Sequence, residues 1–220
     1  ILIINCLIWL GQIVMIDYVL IVDLEVDLKG DRKDPSPYNK DNDLVAIGYL
    51  KRNLDGSKIG GLTVQIKNKS SNSFDLDDFE DAIKGAKYIV AHNAKFDVAW
   101  LREVGIECDV KIIDTMINEY VLSKGLRNKL SLDGLSEKYK VTRKESSLGD
   151  TLIKGLNYSD MSLFDQESYL TNDVLATAEV FQKQQERFSK SSNHSLVAIR
   201  DLMCEFCDVL TDIERAGMAI

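Results

Sequence analysis

Ten residues, Tyr18 to Asp27 (YVLIVDLEVD), constrain the fold more than any other stretch of this chain. They begin as a run of branched apolar side chains, the composition of a buried central strand. The run then takes on carboxylates at alternate positions. Successive side chains of a strand point to opposite faces, so Asp23 and Glu25 share one face while Leu24 and Val26 share the other. Two carboxylates on one face of a buried strand repel each other and resist leaving water unless a cation neutralises them. Oxygen-rich clusters of this kind suit a hard divalent ion such as magnesium or manganese. A strand end that simply emerges into solvent carries the same pattern, so the motif gains weight only from its company further along the chain.

With 220 residues, 45% of them hydrophobic, the chain can build one well-cored domain with some length left over. A formal net charge of -8 argues against sequence-independent coating of duplex DNA, which needs a basic face. It does not exclude a nuclease, which touches a few nucleotides and whose bound metals supply charge that the count omits. Cys6, Cys108, Cys204 and Cys207 are too scattered for a disulfide framework, and a reducing cytoplasm fits them. Cys204-Glu-Phe-Cys207 has no second ligand pair, and it reads as two small apolar residues on one helix face rather than a zinc or redox site.

The first fourteen residues (ILIINCLIWLGQIV) are apolar but too short for a membrane span, and they lack the basic start of a signal peptide. Met15 runs straight into the first strand, so Met15 is expected to be the natural start and residues 1–14 upstream read-through or an irregular apolar extension. Residues 29–43 are polar, hold both prolines and form a loop. Residues 44–50 and 62–66 read as two further strands joined by a turn at 53–57. Residues 75–84 have helical periodicity and an acidic first turn that complements the helix dipole. A short strand at 88–91 leads into a helix through residue 101, and a strand at 111–113 leads into a helix capped by Asp114. Helical segments follow at 131–139 and 166–188, and a long amphipathic helix at 195–216 comes after a polar break. Three strands, then alternating strands and helices, predict an α/β fold: an antiparallel meander followed by parallel strands in one mixed sheet flanked by helices.

Two further pairs join the first motif. Asn93 and Asp97, four apart at the start of a helix, place an amide and a carboxylate on one face beyond a strand's carboxyl end. Tyr169 and Asp173 are also four apart on a helix, which sets a phenol beside a carboxylate. Taken singly, these residues read as a helix cap, a first-turn acid, a half-buried packer and a surface acid. In this order and on these elements they form a constellation.

Val22-Asp23-Leu24-Glu25, Asn93-Ala94-Lys95-Phe96-Asp97 and Tyr169-Leu170-Thr171-Asn172-Asp173 together resemble the 3′–5′ exonuclease domain of family A DNA polymerases, in the DnaQ-like superfamily of DEDD exonucleases. The third motif resembles the tyrosine subclass. The histidine subclass needs a histidine five residues before the last aspartate, where this chain has Ser168. Weaker similarity runs through Ile113–Met116 and Leu130–Ser136, and the resemblance covers roughly residues 16–188. Residues 210–218 resemble the helix that opens the polymerase region of that family, and the proline-bearing loop is similar to phage polymerases.

The resemblance implies a ribonuclease-H-like fold over residues 15–188, with 189–220 a linker and the first helix of a polymerase region. It implies two divalent metal ions, Mg2+ or Mn2+, with Asp23, Glu25 and Asp173 holding one and Asp23 and Asp97 the second. Tyr169 would aim the attacking water, and Asn93 would contact the terminal nucleotides. Arg127, Lys129, Arg143 and Lys144 would grip the strand backbone or belong to plain solvated surface. The implied substrate is the 3′ end of single-stranded or frayed DNA, and the implied partner is a polymerase domain in the same or another chain. The implied setting is the cytoplasm, that of the host for a phage protein, with no membrane. An RNA-trimming exonuclease of the ribonuclease D type shares these motifs, and a catalytically silent scaffold or strand-binding domain is the reading from a different class.

Overall fold

Tyr18–Asp27 (β1) is the middle strand of a five-stranded sheet, and its side-chain alternation divides the core in two. Leu20, Val22 and Leu24 pack on one face with Phe79, Ile83, Trp100 and Leu101. Val19 and Ile21 pack on the other with Leu170, Val174 and Phe181. The second face matters most here, because Asp23, Glu25 and Asp27 continue its row. The computed structural model describes residues 8–9, 12–13, 17–28, 34–67, 73–126, 129–141 and 157–217.

Asp43–Asn53 (β2) and Lys58–Ile66 (β3) extend the sheet antiparallel from β1, as a meander. Asp77–Lys84 (α1) precedes Ala86–Ala91 (β4), which pairs parallel with the other side of β1. Ala94–Glu103 (α2) leads to Lys111–Asp114 (β5), parallel to β4. The resulting order, β3-β2-β1-β4-β5, is the mixed sheet expected from the sequence, in a ribonuclease-H-like exonuclease fold. The β1–β2 register shifts after Glu25, where Ala46 pairs with Glu25 and Leu44 with Val26. The extra residue, Val45, therefore lies on β2, and β1 keeps its alternation through Asp27.

Thr115–Leu122 (α3), Leu132–Tyr139 (α4), Leu163–Phe188 (α5) and His194–Ala216 (α6) complete the described fold. α5 starts three residues before the expected Gln166 because Ser162 caps it, its hydroxyl accepting from the Asp165 amide. α3, α4 and α5 are joined by the fully buried Glu119 carboxylate, which accepts from Lys138 Nζ at 2.5 Å, Tyr139 Oη at 2.5 Å and Arg187 at 3.3 Å. α6 docks on α2 and β5 through Arg102–Asp208, Arg102–Asp212, Lys95–Glu214 and Lys111–Glu205 ion pairs. Cys204 is buried there and Cys207 half-buried, and burial pushes both thiols up, Cys204 to about 12, which suits inert packing residues.

Of the amino-terminal stretch, Ile8–Trp9 pairs antiparallel with Gln12–Ile13, and Met15 lies outside the described residues. No helix among the described residues is long and apolar enough to cross a membrane.

Candidate active site

Asp23, Glu25 and Asp173 meet at the β1–α5 contact, with one carboxylate oxygen from each within 4.8 Å of the others. The first two are half-buried and Asp173 is buried. Two periodicities converge here: the row of two along β1 and the i, i+4 stacking of Tyr169 and Asp173 on α5. α5 reaches the sheet because β2 offers a glycine. Leu170 and Val174 rest against Gly48, where a Cβ would stand 2.7 Å from Val174 Cγ2. Asp173 therefore packs against the sheet and is not the surface acid that its chemistry alone suggests. Three hard oxygen donors this close suit a divalent cation of the magnesium type.

Asp97 joins them from α2 with 2% of its surface exposed. Burial pushes its carboxyl well above the usual range, and the charges of Asp23, Asp114 and Glu25 push the same way. A cation held beside these carboxylates would reverse that preference. Asp97 owes its place to Asp114, at the end of β5. One Asp114 oxygen accepts from Asn93 N at 3.1 Å and Met116 N at 2.7 Å, and the other accepts from Ala94 N at 2.9 Å. A single carboxylate thus caps both α3, as the sequence predicts, and α2, which it does not.

Asn93 stands at the amino-terminal boundary of α2 in the left-handed region, at φ 66° and ψ 49°, a conformation asparagine tolerates well. Its side chain makes no capping hydrogen bond and the residue is exposed. The reading of Asn93 as a side-chain helix cap is set aside.

Tyr169 is buried at 5% exposure, its ring meeting Tyr158 edge to face with centroids 6.2 Å apart. Tyr158 was not predicted. It belongs to a single 3-10 turn, Tyr158–Asp160, and donates from its hydroxyl to Gln166 O at 2.5 Å. Burial, then the nearby charges of Glu25 and Asp23, keep this phenol protonated. Asp27, third in the β1 acid row, is turned to a different use: it accepts from Ser159 N at 3.1 Å and from Ser159 Oγ. Among the candidate strand-gripping cations, Lys129 has an 81% exposed side chain, 3.9 Å from Glu137, which fits solvated surface. Arg127, Arg143 and Lys144 lie outside the described residues.

A ribonuclease-H-like sheet with a carboxylate cluster on its central strand defines the class, a nuclease fold of the DnaQ-like kind. The profile of a family described as 3′-5′ exonuclease matches residues 66–188, more than half of the chain, and the chain belongs to that family. DNA polymerase I of Borreliella burgdorferi is 25% identical over 177 residues, which cover 80% of this chain and 19% of that protein's length. Among solved structures, one described as the apo form of the nuclease gives a TM-score of 0.68 at 13% identity, covering 90% of this chain and 85% of the other. Brucella melitensis NrnC with bound Mg2+ gives 0.58 at 16% identity, covering 90% and 86%. NrnC bound to pGG gives 0.65 at 14% identity, covering 90% and 85%. At these identities the structural likeness is one of fold.

Proposed function

We propose that this chain is a two-metal 3′–5′ exonuclease that removes mononucleotides from the 3′ end of single-stranded or frayed DNA, proofreading for a DNA polymerase. The observation that carries the reading is the meeting of Asp23, Glu25 and Asp173 within 4.8 Å, with buried Asp97 alongside. Asp23, Glu25 and Asp173 would hold one divalent ion, and Asp23 and Asp97 would hold the second. Bound Mg2+ or Mn2+ supplies a water of lowered pKa and the positive charge that an in-line phosphoryl transition state needs. Tyr169 would orient the attacking water toward the last phosphodiester through its hydroxyl. Asn93, exposed at the start of α2, contacts the terminal nucleotides.

The relation to DNA polymerase I supports DNA as substrate and a polymerase domain as partner. The same reading divides the chain into an exonuclease unit, residues 15–188, and a linker with the first helix of a polymerase region, 189–220. The test is degradation of a 5′-labelled single strand by the purified chain, with Mg2+ or Mn2+ and then with chelator. A metal-dependent ladder shortening from the 3′ end supports the reading. Faster loss of a matched RNA strand would replace proofreading by RNA trimming. No cleavage under either metal would leave a silent scaffold or a unit that needs a polymerase domain to hold the substrate.

A further inference from the structure

We propose that Asp27, Ser159 and Tyr158 are positioning residues, a clamp that fixes α5 against β1 and so sets the spacing between the two halves of the acid cluster. The inference rests on the metal reading above but concerns residues to which that reading gives no role.

Asp23 and Glu25 arrive on a strand, whereas Tyr169 and Asp173 arrive on a helix more than a hundred residues later. Something must hold the two elements in register near the site, because three like charges at their contact push them apart. The clamp begins two residues past Glu25. The regular alternation of β1 turns Asp27 to the same face as the cluster, where it is 4% exposed. There it accepts from both the amide and the hydroxyl of Ser159, while Leu28 N donates to Asn157 Oδ1 at 3.3 Å. The end of the acidic strand is thus bolted to the 3-10 turn, across 132 positions of sequence.

The turn is fixed in its own right. Asn157 N donates to Asp160 Oδ2 at 2.9 Å, closing a capping box. From there the clamp enters α5 twice. Tyr158 Oη donates to the Gln166 carbonyl, and Gln166 Nε2 donates back to Met161 O at 2.8 Å. The Tyr158 ring supports Tyr169 edge-on, which orients the phenol expected to aim the water. Since its proton is committed to Gln166 O, Tyr158 supports the acid–base group and does not replace it.

Asp27 itself could instead serve as a further metal ligand, and the amide variant separates the two roles. Asp27→Asn keeps an acceptor for Ser159 N and a donor for Ser159 Oγ but loses the charge. Asp27→Ala and Ser159→Ala break the clamp. The measurements are Mn2+ affinity by calorimetry and hydrogen exchange across residues 163–170. Asp27→Ala and Ser159→Ala are expected to bind Mn2+ about tenfold more weakly and to exchange faster in that segment, with Asp27→Asn close to wild type in both. Asp27→Asn losing Mn2+ as fully as Asp27→Ala would overturn the clamp in favour of a ligand role. Asp27→Ala leaving affinity and exchange unchanged would overturn it outright. Should the wild-type chain bind no Mn2+, the metal reading fails by itself, and exchange across 163–170 alone then decides for or against the clamp.

Discussion

Asp23 pairs with Gly48 across the β1–β2 ladder, and the missing side chain of Gly48 is what lets the helix bearing Asp173 close over Asp23. A methyl group at that position would stand 2.7 Å from Val174 Cγ2 and 2.8 Å from Leu170 Cγ, both on the helix being docked. Gly48→Ala is therefore expected to lift α5 and destabilise the fold by about 1–3 kcal/mol, as overpacking does. Mn2+ affinity should fall with it. Denaturant unfolding alongside a Mn2+ titration checks both, and wild-type affinity in the variant would show that α5 has room to spare.

The carboxylates of the cluster are expected to matter through the cation they hold. Asp23→Asn and Asp173→Asn should each lower cleavage by about a thousandfold or more, with calorimetric Mn2+ binding lost at one site in Asp173→Asn and weakened at both in Asp23→Asn. Melting temperature in chelator should stay level or rise, because each change relieves repulsion. A variant that cleaves at near wild-type rate with metal would remove that residue from the site.

Tyr169→Phe keeps the ring on Tyr158 and deletes only the hydroxyl. Cleavage should slow by about 100-fold, in the range of a lost acid–base contact, with Mn2+ affinity unchanged. Equal rates would reduce Tyr169 to a packing residue.

Acid should loosen the junction of α3, α4 and α5. Burial alone would raise the Glu119 carboxyl, but hydrogen bonds from Lys138 and Tyr139 and the charges of Lys138 and Arg187 outweigh it and hold it below the ordinary glutamate value. The folded value is thus the lower one. Glu119 contributes its full stability above the ordinary glutamate range of about 4.3, and the contribution fades as pH falls from there through the depressed value. Glu119→Gln is expected to cost about 1–3 kcal/mol at neutral pH, discounted because the Lys138 and Arg187 side chains are 39% and 29% exposed. Its melting temperature should fall less steeply than wild type between about pH 5 and 3, and parallel curves would count against the assignment.

The acids that meet in the structure were legible in the sequence because each carries a local signal. Asp23 and Glu25 break a buried run at a two-residue period, and Tyr169 and Asp173 lie one helical turn apart. The antiparallel meander followed by parallel strands was legible from the succession of strands and helices, whereas the order of strands in the sheet appears only in the structure. What stayed hidden depends on chain segments far apart in sequence. Nothing near Gly48 announces that a helix will rest on it, and nothing near Ser159 announces Asp27. Asp114 was legible as the cap of its own helix, and its hold on the amides of Asn93 and Ala94 appears only once β4 and β5 lie side by side. Tyr158 sits in a three-residue turn, too short for any periodicity to mark.

The central strand is a buried element that carries an internal quarrel. Asp97 lies sealed beside Asp23 and Glu25, and burial and charge both oppose its ionised form. In the language of energy landscapes this is local frustration, held within a sheet whose strand patterning otherwise agrees with the fold. A cation that settled the quarrel would bind the native state and not the unfolded chain, so occupancy of the site and cohesion of the sheet would become one equilibrium. Such an ion would be as much a part of the architecture as the side chains around it, and a chain relieved of its acids would trade that coupling for a sturdier sheet.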